Sequence, residues 1–194
     1  MKRRRSLVPA LLAAGTMVVL GLAAEASSAG EDRGKPYAQF SDQGELLRPK
    51  GFRRWVFVGA PVTPNELNGG KAAFSEFHHV YIDPAGYREY KRTGAFPDGT
   101  ILVKELFAVG AREASSGKGY FPGDFVGLAA AAKDSARFPN EPGNWAYFNL
   151  GDAGVASAPA QPTAACNACH QAGAAHDWVF TQFYPVLSTK SAKK

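Results

Sequence analysis

The 194-residue sequence is poor in sulfur: two cysteines, Cys166 and Cys169, and two methionines, Met1 and Met17. A single close pair of cysteines excludes a disulfide framework and leaves no second pair to complete a four-ligand structural zinc site. Both methionines fall within the first 29 residues, so a chain cut after them has no thioether to offer a metal. Excess charge is scarce too. The formal +5 comes from 22 Lys+Arg against 17 Asp+Glu; without Lys2, Arg3, Arg4, Arg5 and Glu25 the balance is 18 against 16, a formal +2. That offers nothing to a nucleic acid. Internal repeats and long low-complexity linkers are missing. Long helices are excluded by Gly and Pro, which recur at intervals too short for a four-helix bundle.

What is present begins with an export signal over residues 1–29. Lys2 to Arg5 form a charged start, Leu7 to Ala24 an apolar stretch interrupted by Pro9 and Gly15, and small residues follow. Ala24-Glu25-Ala26 and Ser27-Ser28-Ala29 are both cleavage candidates. The competing reading is an uncleaved membrane anchor, because the apolar stretch approaches spanning length. Residues 30–194 then form one domain, with a leader over Gly30–Pro36 and a basic tail over Ser188–Lys194 that carries Lys190, Lys193 and Lys194.

The segments between turn residues are short, aromatic and β-branched. They predict about five antiparallel strands, over Arg54–Gly59, Phe77–Asp83, Thr100–Val109, Asp124–Leu128 and Trp145–Leu150. Helices are few: a turn at Pro64–Leu67 capped by Thr63, a helix after Asp83-Pro84 ended by Gly94, a segment Ala164–Gln171, and a last short helix Asp177–Phe183 stopped by Pro185. The expected fold class is α+β, predominantly antiparallel β, with a C-terminal helical segment clasped against the sheet.

That segment carries Cys166-Asn167-Ala168-Cys169-His170, a C-x-x-C-H, the attachment sequence of a c-type haem. On a helical turn residues i, i+3 and i+4 share one face. Cys166 and Cys169 would form thioethers with the haem vinyl groups, and His170 would be the proximal iron ligand. A thioredoxin-like C-x-x-C is the alternative, but it would sit early, in a βαβ pattern.

The other side of the iron has few candidates. His78 and His79 are adjacent on a strand and point to opposite faces; each is as readily a structural histidine as a ligand. His176 is too close in sequence to His170 to reach across the haem. An open distal site follows, which favours binding or transforming a small molecule over plain electron transfer. In Thr100–Val109, alternation puts Leu102, Lys104, Leu106 and Ala108 on one face and Glu105 on the other. Lys104 is thus a lysine among leucines, and burial would leave it a neutral, nucleophilic amine. A solvent-exposed face, or a carboxylate partner, would remove that chemistry.

Together CNACH, TILVKELF, VTPNELN, GYFPGDFVG and RFPNEPGNWA resemble the cytochrome P-460 family, over about Tyr37 to Leu187. The resemblance implies a periplasmic, dimeric, mainly β cytochrome with one five-coordinate haem c. It also implies a third covalent link, from a lysine nitrogen to a porphyrin meso carbon; by position in V-K-E-L that lysine is Lys104. Members of the family oxidise hydroxylamine to nitrous oxide or nitrogen oxides, and hand the electrons to a periplasmic acceptor cytochrome.

In active members a distal glutamate base follows the G-D-x-x-G-L stretch. Here Gly123 to Leu128 is followed by Ala129, so the carboxylate is missing. Losing a general base removes about 10²- to 10⁴-fold in rate, and the resemblance therefore implies weak or lost turnover unless Asp124 or Asp134 substitutes. Two alternatives stay open. The related cytochromes c′-β share the fold, lack the lysine link and bind nitric oxide; a plain electron carrier would need a sixth protein ligand.

Overall fold

The computed structural model describes residues 36–188. The expected export signal and nearly all of the expected basic tail lie outside them, as does most of the expected leader. Among the described residues no helix is long and apolar enough to cross a membrane.

Five strands form one antiparallel sheet: β1 (Val56–Gly59), β2 (Phe77–Ile82), β3 (Ile101–Val109), β4 (Pro122–Lys133) and β5 (Trp145–Gly151). They lie side by side in chain order, a meander with β3 at its centre. Two helices attach to it, α1 (Pro84–Thr93) and α2 (Thr163–Gly173). The expected class holds: α+β, dominated by an antiparallel sheet.

α1 begins and ends where the sequence predicts. Asp83 caps it, one carboxylate oxygen accepting from Gly86 N at 2.7 Å, and Pro84 follows at the first position. Gly94 ends it at φ 77, a left-handed conformation glycine adopts without a Cβ clash. The other Asp83 oxygen accepts from Ile101 N at 2.9 Å, so this one buried side chain also fixes the start of β3.

Three expectations need correction. The strand expected to end at Leu128 continues through Ala129–Ala132 to Lys133. Alanine prefers helix, but such preferences differ by at most about 1 kcal/mol per residue. A central strand that peeled away would leave backbone groups of both neighbours unpaired, at about 1–3 kcal/mol each where buried. Pairing wins: Ala129–Ala132 are hydrogen-bonded in the ladder between β3 and β5. The last short helix is reduced to a 3-10 turn at Thr181–Phe183, because Asp177 and Trp178 adopt left-handed backbone conformations at φ 45 and 57. Thr63 does not cap the turn at Asn65–Leu67; Pro64 occupies the cap position, and the Thr63 hydroxyl donates to the Phe74 carbonyl.

The sheet separates two cores. One face carries Val103, Ala130 and Phe148, closed by Leu46 and Ala158 from a short two-stranded ribbon. The opposite face carries Val80, Leu102 and Tyr147, packed against Tyr90 of α1 and against Val179 and Tyr184 near the C-terminus. Cys166 of α2 packs onto this second face, which also carries Lys104.

Candidate haem site

α2 supplies the C-x-x-C-H in one stretch, with Cys166 half-buried and Cys169 exposed, both as free thiols. His170 sits near their C-terminal side, between the rings of Tyr147 at 4.4 Å and Phe180 at 4.8 Å. Its Nδ1–H donates to the Trp178 carbonyl at 2.7 Å. A carbonyl only accepts, so the proton is fixed on Nδ1 and the Nε2 lone pair is left for a metal. Burial lowers the imidazole's pKa, and the hydrogen bond to Trp178 opposes that shift.

The left-handed turn at Asp177-Trp178 is what aims that carbonyl. Asp177 is anchored from the sheet: Lys133 Nζ donates to one carboxylate oxygen at 2.6 Å and Trp145 Nε1 to the other at 3.3 Å. The backbone conformation that abolished the expected helix is therefore the one that orients the His170 imidazole.

Lys104 lies in the middle of β3, opposite Val80 on one side and Ala129 on the other. Residues opposite one another in an antiparallel ladder share a face, so Ala129 and Lys104 are side by side. Burial lowers the lysine's pKa, while the Cys166 thiol and the Glu76 carboxylate act against that shift. Lys104 thus lies within electrostatic reach of Cys166. No carboxylate is ion-paired with it among the described residues; its Nζ rests over the Phe74 ring, 4.5 Å from the centroid.

The remaining expected residues divide cleanly. His79 is on the opposite face among the rings of Phe57, Phe77 and Phe107. His176 donates through Nε2 to the Gly94 carbonyl at 2.6 Å, which ties it to the end of α1. Asp124 is exposed at the start of β4, and Asp134 accepts from Ala136 N and Arg137 N in a turn, so neither reaches Lys104. His78, by contrast, is on the Lys104 face, opposite Leu106. Sequence reading missed Tyr147, Glu76, Phe74 and the Asp177 anchor. Alternation in WAYF carries a signal for Tyr147; the others depend on contacts remote in sequence.

Among the described residues five buried side-chain polar atoms have no hydrogen-bond partner: Asn167 Oδ1 on α2, and Glu76 Oε2, His78 Nε2, Tyr147 Oη and Trp178 Nε1. Each would cost about 1–3 kcal/mol if apolar matter sealed it. A haem, apolar across its ring and polar at its propionates and iron, has the mixed character such a surface needs. The residues present fit it.

A helix offering two thiols and a single oriented imidazole to a sheet defines a c-type haem protein. The comparison with family models narrows that class. The model for Cytochrome P460 matches residues 49–181, a span that includes Lys104, Ala129 and the whole C-x-x-C-H, and the chain belongs to that family. No curated protein matches the chain.

Proposed function

We propose that this chain is an exported, mono-haem hydroxylamine oxidoreductase of the P460 type, with turnover weakened at Ala129. Cys166 and Cys169 hold the haem through thioethers, His170 ligates its iron, and Lys104 forms the third covalent link. The observation that carries this reading is Lys104: an amine without an ion partner among the described residues, partly desolvated, coupled to Cys166 and on the face that α2 covers. A buried ammonium without a partner is costly. A nitrogen bonded to the porphyrin no longer has to carry the charge.

When bound, the haem supplies an iron site for the substrate nitrogen and a path for its electrons. Oxidation of two hydroxylamines to nitrous oxide and water releases four protons and four electrons. The electrons pass to an exported acceptor cytochrome, and the protons need acceptors at the site. The His170 imidazole, held by the Trp178 carbonyl, keeps its Nε2 directed to the metal throughout. Ala129, beside Lys104, brings only a methyl group where a carboxylate would accept a proton. Export and a homodimeric assembly belong to the same reading and rest on the residue 1–29 pattern and the family likeness.

The test is turnover of hydroxylamine by the haem-loaded protein with an artificial electron acceptor, beside its ferrous absorption spectrum. The reading predicts slow but measurable turnover and a strongly red-shifted Soret band. A normal c-type ferrous spectrum with no turnover would replace it by a second reading, a cytochrome c′-β-like nitric oxide-binding protein. The small apolar side chains of Ala129 and Ala131 beside Lys104 and Leu102 are the feature that favours that alternative.

A further inference from the structure

On the Lys104 face the ladder sets side chains in rows. Tyr147, Ala131, Leu102 and Ile82 form one row; Ala129, Lys104 and Val80 the next; Gly127, Leu106 and His78 the third. Successive rows are two residues apart along the strands, about 7 Å. The His170 ring lies against Tyr147, in the first row. A porphyrin joined to Lys104 in the middle row, with His170 on its first-row side, turns its other side toward the third. His78 stands there.

Two of the five unpartnered buried polar atoms among the described residues are in this place, His78 Nε2 and Glu76 Oε2. A fold rarely leaves a buried polar atom without a partner unless something else uses it. The two residues belong to one cluster with the lysine. Phe74 packs edge-on to the His78 ring at 5.9 Å and takes Lys104 Nζ on its face. Glu76 is the carboxylate coupled to Lys104.

Resting on the hydroxylamine reading above, we infer that His78, backed by Glu76, is the proton acceptor on the open side of the haem. An N–H or O–H bond of the substrate breaks, and its proton joins the free lone pair of the His78 ring. The imidazolium passes that proton to the Glu76 carboxylate or to water. The electrons leave through the haem to the acceptor cytochrome. His78 is ready for this task at neutral pH: burial first, and the Lys104 charge second, lower its pKa from 6.5 to about 4. Lys104 from β3 is the charged group that acts on it, and Glu76, from the approach to β2, acts in turn on Lys104. A lysine bonded to the haem would lose its charge, which makes the neighbouring imidazole a stronger base.

The experiment uses the haem-loaded full protein in its ferrous carbon monoxide form and follows the C–O stretching frequency with pH. In the wild type, acidification is expected to move the stretch to lower wavenumber as an imidazolium appears beside the bound gas. His78→Leu removes that transition, Glu76→Gln moves it to lower pH, and His79→Gln retains it. His78→Gln, which keeps a polar side chain, serves if the leucine variant loads no haem, and it too lacks the transition. Hydroxylamine turnover of the His78 variants falls about 10²-fold in kcat.

A wild type without the transition, or a His78 variant that keeps it, overturns the inference. So does a six-coordinate low-spin ferric spectrum that disappears in His78→Leu, since His78 would then be an iron ligand. If no form of the protein turns over hydroxylamine while the C–O transition still depends on His78, the substrate reading falls and the placement of His78 stands.

Discussion

Lys104 and Glu105 are neighbours on the central strand, and the two faces of the sheet treat their charges differently. Glu105 is 1% exposed and answered by Arg53 from a 3-10 turn: Nε donates to Oε1 at 3.0 Å and Nη2 donates to the same oxygen. The Arg53 side chain remains 67% exposed, so the pair is a buried carboxylate capped from the surface. Among the described residues Lys104 has no such cap, and His78, Glu76 and Tyr147 atoms without a partner there lie on its side of the sheet. One face is complete as protein. The other is complete only with a group the chain does not encode, and that is where chemistry belongs.

The largest effect should come from restoring a carboxylate beside Lys104. Ala129→Glu is expected to raise hydroxylamine turnover about 10²-fold, the low end for a general base because His78 already accepts protons, and by more in a His78→Leu background. Steady-state assays with an artificial acceptor measure both. Equal gains in the two backgrounds would separate the roles of the two positions.

Breaking the closed face has a structural effect. Arg53→Ala leaves Glu105 buried without its partner and should destabilise the fold by about 1–3 kcal/mol, the cost of an unsatisfied buried acceptor, because the exposed Arg53 is itself screened by water. Chemical denaturation should return a similar loss with and without haem, because that face does not touch the site. A loss seen only in the haem-loaded protein would mean the two faces are coupled.

Asp177→Asn weakens the anchor of the proximal turn. The expected loss is about 1–2 kcal/mol from the bonds to Lys133 and Trp145, with a change in reduction potential as the Trp178 carbonyl loosens its hold on His170. An unchanged potential would confine Asp177 to a structural role.

The smallest effect is a slope with pH. His78 has a folded-state pKa of about 4 against 6.5 unfolded, so the unfolded chain binds the proton more readily. Its contribution to stability is complete above pH 6.5 and is lost as pH falls toward 4. Denaturation midpoints of the haem-free protein across that window should fall less steeply in His78→Gln.

Much of this was legible in the sequence because alternation is local. Period-2 patterning separated Lys104 from Glu105 and set four of the five strands nearly to their ends, while β4 ran on past Leu128 to Lys133; C-x-x-C-H specified its own chemistry. Position 129 was legible as an alanine, whereas its seat opposite Lys104 came from strand pairing. The rest depended on partners remote in sequence. Arg53 lies 52 residues from Glu105, and Lys133 lies 44 from the Asp177 whose turn replaced a predicted helix. Alternation also sent His78 and His79 to opposite faces without saying which met the site; pairing of β2 with β3 decided it.

The claim that the open face is completed by a covalent bond at Lys104 is tested most directly by tryptic mapping of the haem-loaded protein. The account predicts that the haem-bearing fragment contains both the Cys166–His170 sequence and the Lys104 segment, joined through the porphyrin. A Lys104 segment recovered free, with haem only on the two cysteines, would contradict it.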